Sequence, residues 1–275
     1  MIILKLNGGL GNQLFQIFAF ISYALKYNLS FKILKYKSDI KSLEGGKRPT
    51  YWDTLFKKLE KFLINEIPEK YLVYNNNFTY STIPDAPYNK TILFVGGFTS
   101  YKYFQNNFQT IKNIIDIDKY KTIIGEKYIT KLNKTIAIHF RIGDYKNIQD
   151  CHPIQTEQYY IKSLQYIINN SKQDRYTILY FYEEDDTEVV KIKIEKIKTH
   201  FNNLNFIPAP KLSDWEQMLL MACCQHNIIA NSTFSWWGAY FNEHKDKIVC
   251  YPSTWFGSQL KLNTNDICPE NWIKI

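Results

Sequence analysis

TIAIHFRIGDY, Thr135 to Tyr145, is the stretch on which the fold reading turns. Its first six residues form a short apolar run containing β-branched side chains, Thr135 to Phe140, and Arg141-Ile142-Gly143-Asp144 then breaks the run. That is the signature of a buried strand delivering a loop. Downstream the pattern repeats. Helical periodicity covers Glu157 to Asn169, a strand Tyr176 to Tyr182, an acidic loop Glu183 to Asp186, and a helix Val189 to Thr199. Then come a short strand Leu204 to Ile207 and a helix Ser213 to Gln225, opened by Ser213 and Glu216 as a capping box. A strand Asn227 to Ala230, a loop Asn231 to Ser235, a helix Trp236 to Asn242 and a strand Lys247 to Tyr251 complete the series. Strands alternating with helices imply a parallel sheet with both faces covered, an α/β fold.

Upstream, Ile2 to Leu6 reads as a strand, Asn7 to Gly11 as a glycine-rich turn, and Asn12 to Tyr27 as a helix with Leu14, Ile17, Phe18, Ile21 and Leu25 on one face. Residues 36–50 carry Gly45-Gly46 and read as a loop. Residues 51–130 give little pattern beyond a strand at Ile92 to Val95 and one or two helices within 101–118. Because the α/β alternation restarts after this region, two domains are expected, 1–130 and 131–275.

The chain has 275 residues, 45% hydrophobic and 22% charged, which suits a globular protein and excludes a mainly disordered one. Aromatics, including 21 Tyr and 18 Phe, are expected mostly in the core. The net charge is +8, but the lysines are dispersed along the chain, so a solvated surface is the reading and nucleic-acid binding is not expected. Five cysteines without a CxxC pair suggest free thiols in a reducing compartment. The apolar run Met1 to Leu6 is interrupted by Asn7-Gly8-Gly9, so no signal peptide is expected. No apolar stretch nears the roughly 18 residues of a membrane span. A cytoplasmic location is the expectation.

Four loops follow strands, where ligands bind in open α/β sheets. Gly8-Gly9-Leu10-Gly11-Asn12-Gln13 lets backbone approach a ligand and leads into a helix whose free N–H groups suit an anion; a plain tight turn is the alternative. His139 and Arg141 alternate with Phe140 and share a face. Arg141 is one of three arginines, with Arg48 and Arg175, among 34 basic residues. Its planar fork grips a phosphate through two parallel hydrogen bonds, which lysine cannot do. A structural pair with Asp144 beside a core histidine is the alternative. The carboxylates of Glu183 to Asp186 suit the edge of guanine, ribose hydroxyls or a metal, or merely a helix N-terminus. Asn231-Ser232-Thr233-Phe234-Ser235 gathers three hydroxyls where strand becomes helix, a candidate diphosphate cradle or an ordinary N-cap. Of the adjacent pair Trp236-Trp237, at least one ring is expected in the core.

The stretches NGGLGNQLFQIFAF, HFRIGDY and HNIIANSTFSWWGAYF, followed by DKIVCYPSTWF, resemble the α-1,2-fucosyltransferases of glycosyltransferase family 11, in that family's order and across residues 7–256. The resemblance implies a GT-B fold, two Rossmann-like domains with a cleft between them, and inverting transfer of L-fucose from GDP-β-L-fucose to a sugar hydroxyl with neither metal nor bound cofactor. It implies that Arg141 holds the diphosphate and stabilises the leaving GDP, while His139 and Asp185 or Asp186 face the guanosine. Asn231, Ser232, Thr233, Phe234 and Ser235 would hold the phosphates, and Gly9, Gly11 and Asn12 would close on the sugar from the first, acceptor-side domain. No general base is legible in the sequence; Asp144 is a conceivable one, but a structural role is the preferred reading for it. The chain departs from the family pattern at Ile142, where a second arginine is usual, at Glu184 before Asp185, where serine is usual, and around Gly97-Phe98-Thr99. A transferase for another nucleotide-activated deoxysugar and a non-catalytic carbohydrate-binding protein on the same scaffold are the competing expectations. The acceptor and the oligomeric state are not legible in the sequence.

Overall fold

A computed structural model describes residues 1–35, 40–41, 47–76, 78–85, 90–130, 134–171, 173 and 175–275; the expected loop glycines Gly45-Gly46 lie outside the described residues. The chain divides into two compact units, Met1–Tyr120 with Leu262–Pro269, and Lys121–Lys261 with Glu270–Ile275.

The first unit is built from β1 (Ile2–Leu4), α1 (Leu10–Lys26), β2 (Phe31–Leu34), a small ribbon of β3 (Ile40–Lys41) and β4 (Lys47–Arg48), then β5 (Leu63–Ile64), β6 (Leu72–Asn76), β7 (Ile92–Gly96) and α2 (Phe108–Ile115). Helix α3 (Ile117–Tyr128) contains the division between the units. The main sheet has the order β5-β2-β1-β7-β6 and every pairing in it is parallel. Strand β1 is fully buried, as a central parallel strand covered on both faces must be. Nearly all of α1 is buried, from Leu10 to Ala24, so its hydrophobic surface runs almost all round. Phe18 and Phe104 meet edge to face at 5.4 Å, and Phe20 and Phe94 at 5.5 Å; the aromatic content is largely core here.

The elements of this unit differ from the sequence reading in three ways, the first being the β3–β4 ribbon within residues 36–50, which read as a loop. Helix α1 starts at Leu10 and not at Asn12, because extended Gly9 serves as N-cap and its carbonyl accepts the first helical bond from Gln13 at 3.0 Å. Strands β2, β5 and β6 carried no legible signal. Two of them are four residues or shorter, and Leu72–Asn76 exposes three of its first four residues at the sheet edge, so no alternation marks it.

The second unit runs β8 (Thr135–His139), α4 (Glu157–Ser171), β9 (Thr177–Phe181), α5 (Thr187–Lys198), β10 (Asn205–Pro208), α6 (Asp214–Ala222), β11 (His226–Ile228), α7 (Thr233–Tyr240), β12 (Val249–Tyr251) and β13 (Ile273–Lys274). All strands are parallel in the order β10-β9-β8-β11-β12-β13. Numbered within the unit, that is 3-2-1-4-5-6, the doubly wound dinucleotide-fold order. Ile136, Ile138, Phe140 and Ile142 point to one face, where they pack with Tyr160, Leu164 and Ile167 of α4 and Val190, Ile194 and Ile197 of α5. His139 points to the other, its ring 5.3 Å from Phe234 on α7. Period-two alternation in β8 thus separates a hydrophobic face from the face that carries polar residues.

Helix α7 starts at Thr233 rather than Trp236, so Thr233, Phe234 and Ser235 form its first turn and are not loop. Both Trp236 and Trp237 are fully buried, 5.1 Å apart and edge to face; neither is left to line a sugar site. The expected capping box is present, with Glu216 accepting from the Ser213 N–H at 3.1 Å.

Candidate active site

In the second unit the strand order reverses between β8 and β11, the switch point at which sheets of this order form a ligand crevice. Two tyrosines at the start of α4 hold the strand ends that flank it. The Tyr160 hydroxyl donates to the His139 carbonyl at 3.1 Å, and the Tyr159 hydroxyl donates to the Ile229 and Cys250 carbonyls at 2.6 and 3.1 Å. His139 ends β8 and Ile229 follows β11, so buried hydroxyls bond their carbonyls, and the Cys250 carbonyl takes one in addition to the Ile229 N–H.

Arg141 leaves β8 at this crevice. One nitrogen of its fork, Nη1, bonds Glu183, and the other, Nη2, bonds Asp144. Its guanidinium carbon lies 5.0 Å from the centre of the Tyr145 ring, a cation–π arrangement. The Tyr145 hydroxyl in turn donates to the Asn231 carbonyl at 3.1 Å, joining the loop after β8 to the loop after β11. Burial opposes the guanidinium charge, but Glu183, Asp144 and Tyr145 outweigh it and hold Arg141 above its ordinary pKa. The site therefore presents a permanent, oriented cation.

His139 is buried, and burial, with the Arg141 charge adding to it, pushes its pKa down to about 3. The imidazole is neutral near pH 7. Its Nδ1 has no hydrogen-bond partner among the described residues. A neutral ring beside a fixed cation can accept or donate one hydrogen bond without adding charge.

The acidic turn divides into different environments. Asp186 is buried; it accepts the Gly143 N–H at 2.7 Å and faces the Lys146 ammonium at 2.6 Å. Glu184 pairs with Lys211 on the surface, and Asp185 is exposed. Asp185 is thus the expected nucleoside-facing carboxylate that remains open, whereas Asp186 ties two loops together.

In the loop after β11, the buried Asn231 amide donates to the carbonyls of Pro153 and Trp255 at 3.1 and 3.0 Å, and its oxygen accepts from Gln155 at 3.0 Å. Ser232 caps α7, its hydroxyl accepting from the Phe234 N–H at 3.3 Å; the Ser235 hydroxyl is buried and donates to the Ser232 carbonyl at 3.4 Å. Two of the three hydroxyls are therefore directed inward. What the segment offers an anion is the first turn of α7, with Thr233 and Phe234 partly exposed.

Gly9, Gly11 and Asn12 belong to the first unit. There Gly8 sits at φ +72°, a left-handed turn that suits glycine, and a side chain on Gly9 would meet nothing within 4 Å. Gly11 is buried inside α1 and Asn12 is partly exposed. The loop is held from behind by Gln16, whose amide accepts from the Asn7 N–H at 2.9 Å and donates to the Asn7 side-chain oxygen at 2.8 Å.

Tyr145, Tyr159 and Tyr160 were given no role by sequence reasoning, and Glu183 was read as a carboxylate for base, ribose or metal and not as a partner of Arg141. Tyr145 and Glu183 stood in stretches already marked as unusual, which was the available signal; the α4 tyrosines looked like ordinary helix residues. Among the described residues no group of three or more His, Cys, Asp or Glu side chains is placed to hold a metal ion, and no helix is long and apolar enough to cross a membrane.

Residues 1–275 match the family model described as glycosyl transferase family 11. The chain belongs to that family. It is similar to an α-1,2-colitosyltransferase of Escherichia coli, 28% identical over 295 residues covering 100% of this chain and 99% of the relative. It is also similar to the O-antigen biosynthesis glycosyltransferase WbnK of Escherichia coli, 29% identical over 324 residues, covering 98% and 99%. Among solved structures, the fold resembles E. coli ADP-heptose LPS heptosyltransferase II (TM-score 0.51, 10% identity, 100% of this chain and 90% of that one). It likewise resembles Arabidopsis thaliana FUT1 in complex with GDP (TM-score 0.50, 10% identity, 90% and 69%). The family 11 protein is thus a glycosyltransferase of GT-B type, and its family implies a nucleotide-sugar donor and a glycan acceptor.

Proposed function

We propose that this glycosyltransferase transfers L-fucose from GDP-fucose to a sugar hydroxyl, with inversion, in an α-1,2 linkage, and that it does so without a metal ion. The observation that carries the reading is the convergence of the Arg141 fork and the first turn of α7 at the switch point between β8 and β11. As the glycosidic bond breaks, negative charge grows on the departing diphosphate. A fixed guanidinium and a set of backbone N–H groups stabilise it without reorganising, the task a divalent ion performs in other transferases. Neutral His139, exposed Asp185 and Phe234 are suited to the nucleoside. Asp144, engaged with Arg141, serves to orient it; a role as base would require it to leave that pair. We place the reaction in the cytoplasm.

The α-1,2-colitosyltransferase relative favours a second reading, transfer of another activated deoxysugar, since the likeness covers 100% of this chain and 99% of that protein. A thermal-shift screen with GDP, UDP and dTDP sugars, followed by a transfer assay with the stabilising donors, separates the readings. GDP compounds are expected to stabilise most. Stabilisation by UDP or dTDP alone overturns the guanosine assignment, and transfer of a different GDP-activated sugar in preference to fucose selects the second reading. Turnover is expected to persist in excess EDTA; a loss that Mg²⁺ or Mn²⁺ restores refutes the metal-free mechanism.

A further inference from the structure

Both nitrogens of the Arg141 fork are already engaged, one by Asp144 and one by Glu183. One cation faces two carboxylates, so the charge around the fork is net negative and an incoming diphosphate must compete with both for it. The two acids are not equivalent. Asp144 sits three residues along the same turn, and its side chain is 33% exposed. Glu183 comes from a separate loop and its side chain is 54% exposed. Its backbone is anchored, extended at φ −77°, ψ 141°, with its carbonyl accepting the Asp186 N–H at 2.8 Å. Its carboxylate has Arg141 as its one ion-pair partner among the described residues. Rotation about its side-chain bonds alone would carry it into solvent.

The path of this side chain is made possible by Gly143. A Cβ built on that residue, which sits at φ +22°, would lie 2.7 Å from Glu183 Oε2. The carboxylate thus passes through space that any side chain at 143 would fill. A carboxylate and a phosphate present the same pair of oxygens to a guanidinium.

We propose that Glu183 is a displaceable stand-in for the donor diphosphate at Arg141. It occupies the fork in the empty enzyme, swings out when the nucleotide binds, and returns to compete for the fork when the nucleoside diphosphate leaves. This rests on the reading above, that Arg141 holds the donor diphosphate. Glu183 is then a positioning residue that weakens nucleotide binding and speeds product departure.

The test compares binding of GDP and of guanosine, by calorimetry, to the wild-type chain, Glu183→Gln, Glu183→Ala and Arg141→Lys, and to Glu183→Gln combined with Arg141→Lys. Removing the competing charge is expected to tighten GDP about three- to tenfold, the scale of one partly exposed ion pair, and to slow GDP dissociation. Guanosine affinity stays as it was, and the gain for GDP disappears in the Arg141→Lys background. A merely structural Glu183 would not shift GDP and guanosine differently. Unchanged or weaker GDP binding in both Glu183 variants overturns the proposal. Absence of GDP binding by the wild-type chain overturns the donor reading itself and the proposal with it, and the two failures are distinct because the second is seen before any variant is made.

Discussion

Asp186 accepts the Gly143 backbone N–H at 2.7 Å, and this bond sets the spacing between the acidic turn and the loop that carries Arg141. The carboxylate is buried and its other oxygen meets Lys146. Asp186→Ala leaves the Gly143 N–H without its acceptor and removes a charge-assisted bond. We expect a loss of about 1.5–3 kcal/mol in stability, together with lowered turnover, because Gly143 lies two residues from Arg141. Urea denaturation and turnover of the variant check this; a variant as stable as the wild type refutes the tie.

Arg141→Lys keeps the charge and loses the fork. Turnover should fall roughly a hundredfold or more, about 3 kcal/mol of transition-state stabilisation. The melting temperature should change little, because the partners Glu183 and Asp144 are both partly exposed and are rehydrated when the pair is lost. Near-normal turnover in both Arg141→Lys and Arg141→Ala removes Arg141 from the reaction. Unfolding of both makes it a structural residue.

His226 makes stability depend on pH. Burial pushes its pKa from 6.5 down to about 4, with the nearby His244 adding to the effect. Its Nδ1 accepts the Ile248 N–H at 3.0 Å, and its Nε2 lies 3.2 Å from the Tyr176 hydroxyl. Because the folded pKa is depressed below the unfolded value, the unfolded chain binds more protons between those two pH values. Stability is therefore full above about pH 6.5 and declines as pH falls toward 4. By pH 5 the loss from this residue is about 2 kcal/mol. Denaturant midpoints at pH 7 and pH 5 should differ more in the wild type than in His226→Gln; equal differences refute the assignment.

Gly238 sits where α7 crosses α6. A Cβ there would lie 2.9 Å from the Met221 Cβ and 3.2 Å from the Met218 carbonyl, neither of which is the free end of a side chain. Gly238→Ala should cost about 1–3 kcal/mol through overpacking and leave nucleotide contacts chemically intact. Thermal melting reads the cost, and an unchanged melting temperature shows that the helices have room to move apart.

Much of the second unit was legible because its parallel strands are short apolar runs separated by amphipathic helices, a local pattern that burial on both faces imposes. Phe140 and His139 could be assigned to opposite faces from alternation alone. The strands of the first unit were largely hidden, since edge and two-residue strands such as Leu72–Asn76 and Leu63–Ile64 bury too little to leave a period. Helix starts at Leu10 and Thr233 were misread by two and three residues because glycine and serine caps resemble loop.

For the site, the sequence by itself determined which chemistry is present: one arginine at a strand end, a glycine-rich turn, an acidic run and a hydroxyl-rich helix start, in the order of family 11. The tertiary structure alone decided how those groups are shared out. Asp186 and the Asn231 side chain turn inward because each must satisfy backbone groups contributed by distant residues, whereas Ser235 turns inward onto the Ser232 carbonyl of its own turn. Glu183 reaches Arg141 from 42 positions away, through the gap left by Gly143. Hydrogen-bond and charge partners of this kind are set by the strand order 3-2-1-4-5-6, which brings β8, β9 and β11 side by side, and no local pattern of residues encodes which loops that order makes neighbours.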